Sequence, residues 1–235
     1  DTKIASIVGP SDIDSDENHI YSELGFYYTQ QGQAELLERS VLTNNGKRMT
    51  GDSLFYDRNR GIGEAFQNVE FVDTISKNML TGDYCFYNQL TGYAFATDKA
   101  VATDFSQGDS LFIHADTLQL YTFHVNTDSV YREARAFHKV RFYRTDIQGV
   151  CDSLVFSSKD SCLTLYQDPI LWNGKQQLLG EEIMVYMNDS TIDWAHIQNQ
   201  ALSVEQLDSL NYNQVSGKDM KAYFEGGEMK QVEIG

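Results

Sequence analysis

The heptad Ala-Phe-x-x-Val-x-Phe occurs twice, as AFQNVEF at 65–71 and as AFHKVRF at 136–142. It belongs to a longer self-similarity. Residues 51–73 (GDSLFYDRNRGIGEAFQNVEFVD) and 82–104 (GDYCFYNQLTGYAFATDKAVATD) align without a gap and share 7 of 23 positions. Unrelated segments match at roughly 6% of positions. A chain with an internal repeat of this length is restricted to architectures that stack one small unit many times.

The opening of the unit, Gly-Asp-x-Leu-x-Tyr, recurs in weaker form. Copies start at Gly51, Gly82, Ala115, Cys151, Gly180 and Gly217, with spacings of 31, 33, 36, 29 and 37 residues, and a degraded copy precedes them at 21–28. The second half of the unit recurs at 65–71, 96–102 and 136–142, and in shortened form at 168–172 (DPILW). The fourth and sixth positions of the opening read Leu54/Tyr56, Cys85/Tyr87, Leu118/Leu120, Leu154/Phe156, Ile183/Val185 and Met220/Ala222. All are apolar or aromatic, while the third and fifth positions include Ser53, Thr117, Gln119, Ser153, Glu182, Asp219 and Lys221. Period-two alternation marks strands with one buried face. Turn formers separate them, at 57–61 (DRNRG), 88–92 (NQLTG), 157–160 (SSKD) and 225–227 (EGG). Only 199–211 reads as a short helix.

The expected fold is therefore all-β: about six to seven strand-pair repeats of ~33 residues in a single elongated repetitive domain over 1–235. Two facing sheets would place the apolar residues in the gap between them. The last residues, MKQVEIG, read as a strand that stops mid-unit, and DTKIASIV begins as abruptly. Uncapped strand edges invite pairing. The expectation is a segment of a longer protein, or one that stacks head to tail with itself.

The recurring motif resembles the OstA-like proteins, relatives of the periplasmic lipopolysaccharide-transport protein of the OstA/LptA type. The resemblance is carried by Gly-Asp-x-Leu-x-Tyr followed by Ala-Phe-x-Asn-Val-x-Phe, and it is strongest over 43–186. Residues 51–69, 141–154 (RFYRTDIQGVCDSL), 188–196 (NDSTIDWAH) and 224–229 (FEGGEM) are similar to the larger OstA-like proteins of Bacteroidota. The resemblance implies an open β-jellyroll, a V-shaped slab of two antiparallel sheets that holds acyl chains between them. It implies a periplasmic protein, at or near the outer membrane, that joins other lipopolysaccharide-transport proteins end to end. The role is that of the bridge, an accessory module or part of an outer-membrane assembly. The implied lipid-binding residues are the inward apolar row: Leu54, Tyr56, Val69, Phe71, Tyr87, Leu118, Leu120, Val140, Phe142, Leu154, Phe156, Trp172, Ile183 and Val185. The alternative is a structural slab that binds protein partners, or itself, without lipid.

Other functions find little footing. A net charge of −16 repels a nucleic-acid backbone. Three cysteines (Cys85, Cys151, Cys162) do not make a disulfide scaffold and are expected as free, mostly buried thiols. Asp12, Asp14, Asp16 and Glu23 fall at calcium-loop spacing, but Glu17 stands where such a loop needs glycine. A polar hairpin between Ile13 and Ile20 is the simpler reading. His19, His114, His124, His138 and His196 are scattered, with no compact ligand spacing. No acid–base pair or nucleophile motif is visible, so no enzyme, metal or cofactor is expected. Asp52 and Asp83 recur in register, which suggests a structural task such as ending a turn. One basic cluster stands out in the acidic chain: Arg132, Arg135, Lys139, Arg141 and Arg144. Alternation puts Arg135, Lys139 and Arg141 on one strand face, either as a solubilising surface or as a contact for lipid phosphates or an acidic partner.

Overall fold

A computed structural model describes residues 3–14, 18–106, 108–125, 127–188 and 191–235. Among them there is no helix. The first half of the chain is a meander of long strands: β1 (Ile4–Asp14), β2 (Asn18–Tyr28), β3 (Gln33–Asn44), β4 (Lys47–Asp57), β5 (Ile62–Asp73), β6 (Asn78–Asn88), β7 (Tyr93–Asp104), β8 (Leu111–Phe123), β9 (Tyr131–Tyr143) and β10 (Ile147–Ser157). The second half uses shorter pieces: β11 (Cys162–Tyr166), β12 (Ile170–Asn173), β13 (Gln176–Leu179), β14 (Glu182–Asn188), β15 (Thr191–Gln198), β16 (Ala201–Gln206), β17 (Tyr212–Gly217), β18 (Met220–Glu225) and β19 (Glu228–Ile234). The pairings with described registers are all antiparallel. β1 pairs with β2 and β19 with β18, and no described register joins β1 to β19, so the fold is an open β-jellyroll and not a closed barrel. The chain divides into two compact units. The first comprises residues 1–110 and 117–128, the second residues 111–116 and 129–235.

The repeat has a physical origin that alternation alone does not show. Every copy but the last, which starts at Gly217, contains two consecutive residues in the left-handed region: Glu38–Arg39, Gln67–Asn68, Asp98–Lys99, His138–Lys139, Gln167–Asp168 and Asn199–Gln200, with φ between 48° and 64°. Such values are uncommon outside glycine. In β3, β5, β7 and β9 the pair is a bulge of two residues against one on the neighbouring strand, and such bulges bend a strand sharply. In the second half the bend becomes a break, separating β11 from β12 and β15 from β16. The long strands with described registers thus have two arms joined at a corner.

The residues opposite each bulge explain the recurring Gly-Asp. A side chain on Gly82 would meet the Thr97 carbonyl oxygen at 2.9 Å, and one on Gly51 would meet that of Phe66 at 3.3 Å. The acid that follows grips the bulge. Asn68 donates to Asp52 (3.0 Å), Lys99 to Asp83 (2.8 Å), Lys139 to Asp116 (3.0 Å) and Gln200 to Glu181 (2.9 Å). Arg39 faces Glu23 at 3.6 Å, and His138 lies 3.3 Å from Asp152. Asp52 and Asp83 therefore do not end turns, as the sequence suggested. They sit mid-strand and secure the corner, a task that depends on a residue 16 positions away. Gly82→Val is expected to cost about 1–3 kcal/mol, because the backbone oxygen it meets cannot swing aside. Urea unfolding of the variant checks this.

The expected turns at 57–61, 88–92, 157–160 and 225–227 are where the strands reverse. The short helix expected at 199–211 is not formed. Ala201–Gln206 is a strand between β13 and β17, with Ala201 and Ser203 buried, and the left-handed pair at 199–200 cannot start a helix. Ile13 and Ile20 pair directly, within the antiparallel pairing of Ser11–Asp14 with His19–Ser22. His19 lies 3.3 Å from Asp12 and 2.6 Å from Asp14, and the hydrogen bond to Asp14 holds its pKa above the usual histidine value. Glu23 accepts from Tyr21, and Asp16 lies outside the described residues. The cysteines are unbridged. Burial pushes the Cys85 and Cys151 thiols up to about 12, which keeps them protonated and inert at neutral pH.

Candidate functional site

The inner face of the first unit is built in rows. Nearest the corner, register aligns Gly25, Leu36, Leu54, Ala65, Cys85 and Ala96 across β2–β7. From Leu36 to Ala96 these residues are at most 4% exposed. Each large apolar side chain hidden there stabilises by about 1.5–3 kcal/mol. One step further from the corner, the row reads Tyr27, Ala34, Tyr56, Gly63, Tyr87 and Ala94. Large and small alternate along it. The three tyrosines are half-buried and stand two strands apart, about 9–10 Å, with slots between them.

The slot over Gly63 is real space. A Cβ added there would meet nothing within 4 Å. It opens into a cavity of about 230 Å³ lined by Tyr56, Gly63 and Tyr87 from one set of arms and by Leu42, Met49 and Phe71 from the other. The two arms of the bent sheet therefore face each other across it. Phe71 and Tyr87 stack with ring centroids 6.0 Å apart and hold the arms in contact at one point. Lys47 lies at the rim with its ammonium 5.4 Å from the centroid of the Tyr87 ring. It also bears on Asp73. Burial pushes that carboxyl up, but the Ser76 backbone N–H and hydroxyl, Lys47 and the Ile75 N–H outweigh it and hold the pKa below the usual range.

Of the expected inward residues, Leu54, Val69, Leu118, Val140, Phe142, Leu154, Ile183 and Val185 are buried, and Tyr56, Phe71, Tyr87, Leu120 and Phe156 are half-buried. Only Tyr56, Phe71 and Tyr87 line the cavity. Trp172 is a correction. Gly149 pairs with both Phe142 and Leu171, so Leu171, fully buried, completes the inward row. Trp172 shares the opposite face with Gln148 and Tyr143. The bulge at 167–168 sets the phase, and aligning DPILW to the heptad without it shifts the face by one residue.

The second unit is packed differently. Leu154, Leu165, Ile183, Ile197 and Met220 form its row beside the corner and are at most 2% exposed. In the next row Val185, Ala195 and Ala222 are 0% exposed. The tyrosine–glycine alternation that opens the first unit has no counterpart in these rows. The basic cluster is largely engaged locally: Arg135 pairs with Glu133, Lys139 with Asp116 and Arg144 with Asp146. Arg141 is exposed. Among the described residues no group of three His, Cys, Asp or Glu side chains is placed to hold a metal ion.

Sequence reasoning missed the slot-forming residues Gly63 and Ala34 and the facing residues Leu42 and Met49. For Leu42 a signal was present in LLERSVL at 36–42, which follows the same bulge pattern as AFQNVEF but matches it at no position.

These features define an open β-jellyroll of corner-bent strands whose inner face forms an apolar, ring-lined trough. Residues 13–104, which contain the trough, match the family described as OstA-like protein. Among solved structures, the chain is similar to LptH, the LptA-homologous periplasmic component of the lipopolysaccharide transport device of Pseudomonas aeruginosa. The identity is 14% over 51% of this chain and 81% of that one, with a TM-score of 0.42. No curated protein matches the chain.

Proposed function

We propose that this protein is a non-enzymatic, periplasmic lipid-binding module of lipopolysaccharide transport, and that acyl chains lie in the trough of its first unit. The observation that carries this reading is the alternation Tyr27–Ala34–Tyr56–Gly63–Tyr87–Ala94 over an existing cavity, inside the OstA-like segment. A monomer core has no reason to leave a ring-lined slot unfilled, since empty space forfeits dispersion contacts on every wall. An acyl chain has the cross-section and chemistry to restore them. Lys47 at the rim supplies a cation for a headgroup phosphate. In the second unit Arg141 is exposed while Glu133 and Asp116 engage Arg135 and Lys139, and it is that unit's own contact for a phosphate or an acidic partner. Among the described residues the outer edges of β1 and β19 have no partner strand, and these edges are the surfaces for end-to-end pairing with other transport proteins.

A photo-crosslinking residue in place of Phe71 is expected to capture lipopolysaccharide, and the same residue in place of Phe55, on the other face of the sheet, is not. Capture only at Phe55, or at neither, sinks the proposal. The second unit favours a second role. Its closed inner rows suit a structural slab, and a crosslinker at Ile183 is expected to give no lipid adduct.

A further inference from the structure

The outer face of the first unit carries an arrangement that the trough does not explain. Register aligns Phe26, Glu35, Phe55, Glu64, Phe86 and Phe95 in one row across β2–β7. The row beside it adds Phe66 and Tyr84. The rings run into one another. Centroids lie 5.1 Å apart for Phe66–Tyr84, 5.4 Å for Tyr84–Phe95, 5.6 Å for Phe86–Phe95 and 4.9 Å for Tyr93–Tyr121. Phe66 is 38% exposed, and most of the other rings are half-buried.

The charge on this face is of one sign. The segments that build it, residues 24–28, 33–37, 53–57, 62–66, 84–88 and 93–97, contain no Lys, Arg or His. They contain Glu35, Asp57 and Glu64. Asp57 is buried and committed to Gln33 and the Arg60 N–H. Glu35 and Glu64 accept only from tyrosine hydroxyls, Tyr28 at 3.2 Å and Tyr84 at 3.1 Å, and among the described residues neither forms an ion pair. Elsewhere in the unit, carboxylates are matched by cations, as in Asp83–Lys99 and Glu70–Arg48. Here the two uncompensated carboxylates sit between phenylalanine rings, two strands or about 9–10 Å apart.

We infer that this face docks a basic protein segment, one whose Lys or Arg side chains alternate with apolar ones. A guanidinium or ammonium group placed between the rings meets a carboxylate and an aromatic face at once, and both attract it. The apolar side chains cover the remaining ring surface. A chain of net charge −16 steers such a partner toward it. An anionic headgroup or nucleic acid is repelled by the same carboxylates, and a neutral glycan can donate hydroxyls to them but leaves their charge uncompensated. The site lies on the opposite face of the sheet from the trough and does not depend on lipid binding.

The test titrates the full chain into a fluorophore-labelled short peptide alternating arginine and leucine, read by anisotropy. The double variant E35Q/E64Q is compared with D193N/E225Q, which removes the same charge from the second unit. Saturable binding is expected, about ten-fold weaker for E35Q/E64Q and within about two-fold of the parent for D193N/E225Q. The double variant F55S/F86S, checked for an unchanged circular dichroism spectrum, is expected to weaken binding as strongly as E35Q/E64Q. Equal losses in the two charge variants would mean attraction by net charge alone and overturn the inference. Unchanged affinity in a folded F55S/F86S, no saturable binding, tighter binding of a neutral maltooligosaccharide, or masking of the face by self-association would each overturn it as well.

Discussion

Ile183→Ala is expected to lower the stability of the protein by about 2–5 kcal/mol, seen as a lower urea midpoint with an unchanged denaturant slope. Ile183 is 0% exposed and lies in a row with Leu154 and Leu165 on one side and Ile197 and Met220 on the other, each at most 2% exposed. Five strands contribute to that row, so the cavity left by the truncation has no single neighbour that can collapse into it. The size of the loss matters because marginal stability is the norm for a domain. A loss below about 1 kcal/mol would mean that the second unit is not the close-packed slab its burial indicates.

Gly63→Leu is expected to leave the fold intact and to fill the slot in the trough. A Cβ there finds open space, and replacing glycine in a strand interior removes a backbone-entropy penalty of about 0.5–1 kcal/mol. Thermal stability should hold or rise. The new side chain would occupy the slot between Tyr56 and Tyr87 and exclude about two methylene groups of any acyl chain lying there. At about 0.8 kcal/mol each, that is about a ten-fold loss of lipid capture at Phe71. Undiminished capture would move the acyl chain out of this slot, and with it the role of the tyrosine–small alternation. The pairing of Gly63→Leu with Gly82→Val is informative in itself. Two strand glycines in one unit are predicted to respond in opposite ways, because one faces a cavity and the other a carbonyl oxygen.

Much of the fold was legible because β alternation is local. Leu54 and Tyr56, or Ile183 and Val185, need only their own strand to declare which side they occupy. The pairing of Ile13 with Ile20 followed from the same logic. The errors share a cause. Trp172, the supposed helix at 199–211 and the supposed turn-ending role of Asp52 and Asp83 all lie at or beside a left-handed bulge pair. A bulge inserts one residue into the count and reverses the phase of everything after it. Gln67–Asn68, Asp98–Lys99 and Gln167–Asp168 have no residue type in common at their first position that would announce it, apart from two glutamines.

The sequence alone determined that this protein is a stack of antiparallel strands with one apolar face, because a period of two with turn formers between the runs admits no other regular structure. It also determined the resemblance to OstA-like proteins and the absence of any compact catalytic motif. Tertiary structure decided where each strand bends, since the corner exists only when a two-residue bulge meets a small residue and an acid on a different strand. It decided that the apolar face closes tightly in the second unit and leaves a slot over Gly63 in the first, because cavity and core are written in the same residue types and differ only in what stands across the gap. It decided too that phenylalanines and glutamates from β2–β7 form one outward row, which is a matter of register between strands and not of order along any of them.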